Sequence, residues 1–327
     1  PKKNISSINW FTLRVKITAG ILATGGLALG ILSYLAVTRG GQIISTISGR
    51  LESSVGLLAE EQLANTVQTE ASRANQFFIE IERTVESLSE YRVSLQAQQE
   101  LLSQGTYWDA ASRLTRLEGG QYGNSPRELS SVLVPAFIAI DEATLAELNT
   151  SAYMDFSAPQ AFDANPALLA VYYIDPRGMV RYYPNINLAA LVPADFNATE
   201  RDYYKITSPL FNQQRIARWA IPYVDAAGGG LVVTVAAPVY YGNDFHGIVA
   251  ADIQLANITG QISSVKVGKT GDVFILDDAG RVISMPDQGY TLFGMNPTAF
   301  PADEFYKQTV LNMGTEELQT IARRMIA

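Results

Sequence analysis

Residues 17–37, ITAGILATGGLALGILSYLAV, run for 21 positions without a charge. A helix needs about 20 apolar residues to cross the hydrocarbon core of a bilayer, so this run is read as a membrane span. A signal peptide is the competing reading. Its apolar region is usually about 7–15 residues and closes on a small-residue cleavage box, which Ile31, Leu32, Ser33 and Tyr34 do not supply. Lys2, Lys3, Arg14 and Lys16 precede the run, with no acidic residue among positions 1–16. Short basic flanks stay in the cytoplasm, which puts residues 1–16 inside and the bulk of the chain outside the plasma (inner) membrane. A second span is expected beyond residue 327. The 327 residues include no cysteine, which removes disulfides, thiolate metal sites and thiol catalysis. An exported domain without cysteine points to a bacterial envelope. The single histidine, His246, leaves no His-paired metal site, and no cofactor is expected. A net charge of −8 gives no global attraction to nucleic acid.

After the span the pattern is helical. Ile44, Ile47, Leu51, Val55 and Leu58, then Ala74, Phe78, Ile81, Val85, Leu88, Tyr91 and Leu95, fall at spacings of three and four. Glu80, Glu82, Arg83 and Glu86 lie between them and read as a solvated face. No proline interrupts 38–125, which predicts a long stalk helix over 38–104 that backs a domain and through which a homodimer would form. Gly119, Gly120, Gly123, Pro126 and Pro135 then break the helix. From Leu169 the texture is β, in VYYIDPRGMVRYYP, LVVTVAAPVYY and GIVAADIQL, with Gly228–Gly230 as a hairpin tip. His246 falls in the segment GNDFHG and reads as a loop residue between strands.

One pattern recurs. Ile174-Asp175-Pro176-Arg177-Gly178-Met179-Val180, with Pro184 four residues on, matches Leu276-Asp277-Asp278-Ala279-Gly280-Arg281-Val282, with Pro286 four residues on. This is a strand, a tight turn and a returning strand, in which Asp caps the turn and Gly supplies a positive φ. The copies start 102 residues apart, which suggests two related α/β modules in tandem. The first occupies 105–253. The second, 254–327, is read as incomplete, and its last stretch as a helix opened by Thr315, Glu316 and Glu317.

Among the polar residues of the β-rich region, Arg201 offers a fork suited to a carboxylate. Asp225 and Asp252 can accept from an ammonium, and Tyr203, Tyr204 and Tyr223 combine a hydroxyl with an apolar ring. One cation, two anions and several aromatics fit a zwitterion such as a free amino acid. The structural alternatives are that Asp252 caps a strand end and that Arg201 pairs with Asp195 or Glu200. Arg218-Trp219 reads equally as pocket lining and as an ordinary strand position.

The order of these parts resembles the double Cache (tandem PAS-like) sensor domains of bacterial transmembrane receptors. Arg201-Asp202-Tyr203-Tyr204 is similar to the family's Arg-x-Trp-Tyr element, and Tyr223-Val224-Asp225 to its Tyr-x-Asp strand. Thr234–Tyr240 and Gly247–Ile253 are similar to its closing strands, and Gly271–Asp277 to the opening of a second module. The resemblance implies an α/β (α+β) fold with antiparallel sheets and a distal module that binds a small ligand, with Arg201 on a carboxylate and Asp252 on an amine. It departs at Tyr203, where the amino-acid-binding members carry Trp, and at Phe196, five residues before Arg201, where they carry Tyr. The function expected is extracytoplasmic sensing of an amino acid or related carboxylate or amine, and transmembrane signalling, with no catalysis within these residues. A partner-reading or dimerisation module without a small ligand is the alternative. An anchored envelope enzyme lacks a nucleophile elbow, a metal cluster and a base for a serine.

Overall fold

The computed structural model describes residues 45–263 and 273–326, apart from 278, 298, 300 and 301. The flank at 1–16 and the span expected at 17–37 lie outside these residues. Among the described residues no helix is long and apolar enough to cross a membrane. The chain divides into two units, one being Phe78–Asn257 and the other combining the chain before Phe78 with the chain from Ile258 onward.

The long helix α1 spans Ser45–Gln96, shorter than 38–104 at its C-terminal end, where a separate turn of helix follows at Gln99–Leu102. Phe78, Ile81, Val85, Leu88 and Leu95 are buried along one stripe, as their spacing predicts. Two polar residues depart from that pattern. Arg92 is fully buried, ion-paired with Glu147 and stacked over the Tyr173 ring at 4.5 Å. Glu82, expected on the solvated face, accepts a hydrogen bond from Trp219 Nε1 at 3.4 Å, and burial pushes its carboxyl up.

The first unit is built on an antiparallel sheet. Its strands are β1 (Ser131–Leu133), β2 (Leu168–Ile174), β3 (Val180–Tyr183), β4 (Arg218–Trp219), β5 (Tyr223–Val224), β6 (Leu231–Tyr241) and β7 (Asp244–Gln254). Their spatial order is β1-β3-β2-β7-β6-β4, with β5 also pairing β6. Because side chains alternate between faces, one face carries Ala170, Tyr172, Ile174, Val180, Tyr182, Ile248, Ala250 and Leu133. The other carries Val132 and, through the loop before β3, Met179. These pack with Trp108, Ile138 and Leu148, the last on the helix α2 (Glu142–Ser151). This helix lies in the stretch read only as broken. Asp141 caps it, accepting from the Thr144 amide at 2.7 Å. His246 sits on β7 rather than in the turn, which is made by Gly242 and Asn243, and its carbonyl accepts from the Tyr173 hydroxyl at 2.6 Å.

The repeated turn has the same bonds from Asp Oδ1 to the backbone in both copies, while the arginine that reaches Oδ2 is two residues after the Asp in the first and four in the second. Asp175 Oδ1 accepts from the amides of Arg177 (3.0 Å) and Met179 (2.8 Å), and its Oδ2 from Arg177 Nε at 2.9 Å. Asp277 Oδ1 accepts from the amides of Ala279 (2.9 Å) and Arg281 (2.8 Å), and its Oδ2 from Arg281 Nε at 2.5 Å. Gly178 and Gly280 take φ of 100° and 74°. The strands so joined pair Ile174 with Val180, and Leu276 with Val282, the latter between β8 (Ile275–Leu276) and β9 (Val282–Ser284). In the second unit the closing helix α3 runs Glu316–Ile326, with Thr315 Oγ1 accepting from the Leu318 amide at 3.3 Å.

Gly247 on β7 lies directly against the backbone of β2 at Ile174. Its φ is 112°, and a Cβ there would lie 2.0 Å from the Ile174 carbonyl oxygen. Gly247→Ala is therefore expected to cost at least about 2 kcal/mol in chemical denaturation, from strain plus displacement of the central strand pair. A loss below about 0.5 kcal/mol, the level of an ordinary surface change, would refute that close approach.

Candidate ligand-binding site

The first face of the sheet is not packed solid. A cavity open to solvent lies between the sheet, the segment from Leu188 to Tyr203 and the β5–β6 hairpin. Arg201, Tyr203, Tyr223, Asp225 and Asp252 all line it, although they come from three separate stretches of chain.

Asp252 lies two residues before the end of β7 and is only 2% exposed, and its carboxylate accepts from side-chain hydroxyls rather than from strand-end amides. Antiparallel pairing sets it opposite Ala170 on β2 and Thr234 on β6. Its Oδ1 accepts from Thr234 Oγ1 at 2.5 Å and the Tyr172 hydroxyl at 2.8 Å, with the Tyr223 hydroxyl at 3.5 Å. Its Oδ2 receives no hydrogen bond among the described residues. Burial outweighs these hydrogen bonds, and with Asp225 nearby the carboxyl is pushed up to about 7.

Four tyrosines form a continuous chain of rings beside it. Tyr172 and Tyr182, paired across β2 and β3, stack at 5.4 Å with 8° between planes. Tyr172 meets Tyr203 edge-on at 5.9 Å, and Tyr203 meets Tyr223 at 5.5 Å. Burial pushes all four phenols well up, so they stay protonated and act as donors. Among the described residues the hydroxyls of Tyr182 and Tyr203 make no hydrogen bond. Neither Tyr172 nor Tyr182 stood among the residues expected from the sequence. The signal was available, since both alternate with core positions in VYYI and VRYY.

Arg201 is exposed at the rim, with its guanidinium 4.7 Å over the Phe196 ring. It makes no ion pair among the described residues, so Asp195 and Glu200 do not neutralise it. Asp225 and Tyr204 depart from expectation. Both Asp225 oxygens are used within the hairpin, by the amides of Ala227 (3.0 Å) and Gly229 (2.9 Å). Tyr204 does not line the cavity; its buried ring packs edge-on to Phe245 at 6.1 Å. The one-turn helix Asp202–Lys205 sends adjacent side chains apart, so Tyr203 and Tyr204 cannot serve one pocket. Trp219 lies on an edge strand against Phe78, with ring centroids 5.2 Å apart, and does not line the cavity.

The chain matches the Cache domain family over residues 51–307 and belongs to it, in the double Cache form. It is similar to the methyl-accepting chemotaxis protein PscA of Pseudomonas syringae pv. tomato, at 30% identity over 113 residues, covering 34% of this chain and 17% of that protein. It is similar also to TlpA of Bacillus subtilis, a methyl-accepting chemotaxis protein, at 30% over 125 residues, covering 38% and 17%. The alignments thus span about a sixth of these relatives' length. Among solved structures, the ligand-binding domain of the Pseudomonas fluorescens chemoreceptor CtaA in complex with L-serine is 20% identical, with a TM-score of 0.36, covering 43% of this chain and 56% of that one. That of the Pseudomonas aeruginosa amino acid chemoreceptor PctB in complex with L-Gln is 23% identical, with a TM-score of 0.34, covering 40% and 53%.

Asp252 makes the ligand-free stability depend on pH. Its folded pKa of about 7 lies above the ordinary aspartate value of about 3.9, so folded protein retains a proton that unfolded protein loses. The stability it contributes is complete below about pH 4 and is lost as pH rises to about 7, by up to about 4 kcal/mol. Asp252→Asn removes that dependence, and its melting temperature relative to the parent should climb between pH 4.5 and 7.5. Parallel profiles would exclude a raised pKa.

Proposed function

We propose that this chain is the ligand-binding region of a membrane-anchored bacterial receptor, and that the cavity of the first unit takes a zwitterion carrying an ammonium and a carboxylate. The observation that carries the reading is the pairing of two unmet charges in one cavity. Asp252 keeps Oδ2 free beneath the surface, and Arg201 holds a guanidinium without a counter-ion at the rim. The ammonium meets Asp252 Oδ2, and the carboxylate meets the Arg201 fork with the Tyr203 and Tyr182 hydroxyls as further donors. Asp225 holds the hairpin in place and leaves the ammonium to Asp252. A filled core at this position would have favoured a module that reads only a protein partner, and the cavity supports a small ligand instead.

In this reading the uncharged run 17–37 anchors the chain with its bulk outside the cytoplasm. The long helix α1 carries the state of the cavity toward the membrane, paired with a second copy. Likeness to methyl-accepting chemotaxis proteins supports chemotactic signalling as the output. Ligand would shift an equilibrium between two arrangements only by its difference in affinity for them.

Arg201→Ala should weaken binding of an amino acid about ten- to a hundredfold in calorimetry, from loss of a charge-assisted hydrogen bond. Its melting temperature should stay at the parent's value, because the guanidinium is exposed and unpaired. Unchanged affinity would remove Arg201 from the site. Affinity for the parent should also rise from pH 5.5 to 7.5 as Asp252 ionises, with protons released to buffer on binding at the lower pH; a flat profile would detach the ammonium from Asp252.

A further inference from the structure

The cavity is graded along its floor, and the grading follows from strand register. Asp252 stands opposite Ala170, Ala250 opposite Tyr172, and Ile248 opposite Ile174. Across β3, Tyr182 stands opposite Tyr172 and Val180 opposite Ile174. Every second residue shares a face, at about 6.8 Å per step. The floor therefore passes from an acid row, through a row of two stacked phenol rings, to a row of aliphatic side chains. Leu188, Val192 and Ala198 cover the same space from the other side.

We infer that the ligand is an α-amino acid with a neutral, apolar side chain of about the size of leucine or methionine. This rests on the zwitterion reading above and adds the side chain to it. An ammonium held at the Asp252 row leaves the side chain lying over the Tyr172 and Tyr182 rings, toward Ile174, Val180, Leu188 and Val192. Apart from phenols that stay neutral, the ionisable groups lining the cavity are Arg201, Asp225 and Asp252. The ligand's own carboxylate and ammonium occupy the first and the last. Both oxygens of Asp225 are committed to hairpin amides. A charged side chain would thus enter an apolar end with no counter-charge, and burying an unpaired ion is strongly disfavoured. A methyl side chain would leave the aliphatic row uncovered.

Titration calorimetry on the full chain in lipid nanodiscs tests this with leucine, methionine, alanine, lysine, glutamate and isoamylamine, which is leucine without its carboxylate. Leucine and methionine should bind ten- to a hundredfold tighter than alanine, as expected from two or three additional buried carbons. Lysine and glutamate should bind at least a hundredfold weaker than leucine. Val192→Ala should lower the leucine-to-alanine affinity ratio three- to tenfold. Lysine or glutamate equalling leucine would overturn the side-chain assignment and leave the zwitterion reading standing. Isoamylamine equalling leucine would overturn the zwitterion reading and leave the apolar end standing. Binding by none of the six would overturn both.

Discussion

The register of four antiparallel strands is the constraint on which the rest of this molecule depends. Pairing of β2 with β3 and β7, and of β7 with β6, brings Asp252, Tyr172, Tyr182 and Thr234 together from positions as far apart as 80 residues. With a period of two, a one-residue slip of β7 would turn Asp252 to the opposite face and set Ala251 or Ile253 in its place. The acid would then lose its phenol and hydroxyl donors, and the cavity its only carboxylate with an open oxygen. Gly247 and the Asp175 turn hold that register from one end of the pair, by close approach and by three hydrogen bonds.

Buried polarity is treated in two ways around the sheet. On the cavity face an acid lies among donors that cannot ionise, so its charge is left to be fixed from outside. On the helix face the buried cations are held internally: Arg92 pairs with Glu147, and Arg181 is held by the neutral groups of Ser151, Ser130 and the Leu148 carbonyl while stacking on Trp108 at 4.6 Å. Removing one partner of a buried pair costs far more than replacing both, so the helix face tolerates little variation in charge. The cavity face has an unmatched acid, which is the arrangement a site for a cation requires.

Much of this was legible in the sequence because local chemistry and position agree. The alternating runs, the spaced apolar positions of α1 and the doubled Asp-x-x-Gly turn each state their structure directly. Asp225 shows where such reading falls short. Asp225-Ala226-Ala227-Gly228 is a third Asp-x-x-Gly sequence, with Gly228 at φ 90° and the Gly228 amide bonded to the Asp225 carbonyl, as in the other two turns. Asp225 lines the cavity, but both its oxygens cap the hairpin, a second role that the motif alone does not separate from ligand binding. Tyr204 was misplaced because a one-turn helix separates neighbours that a motif joins. Arg92 was hidden for a different reason: its partner Glu147 lies 55 residues away, and no local pattern announces an ion pair of that range. The unit of the fold also begins inside α1, at Phe78, where no break in the sequence marks it.

Tyr172 and Tyr173 are consecutive residues of β2 that face opposite ways. The first donates to Asp252 in the cavity, and the second lies beneath the guanidinium of Arg92 on α1. The partition between the chamber and the long helix is therefore one polypeptide thick, and it is stiff because it is hydrogen-bonded on both edges. Within this unit, a strand displaced by the contents of the chamber is displaced on its far side by the same amount, without any side chain having to change rotamer in between.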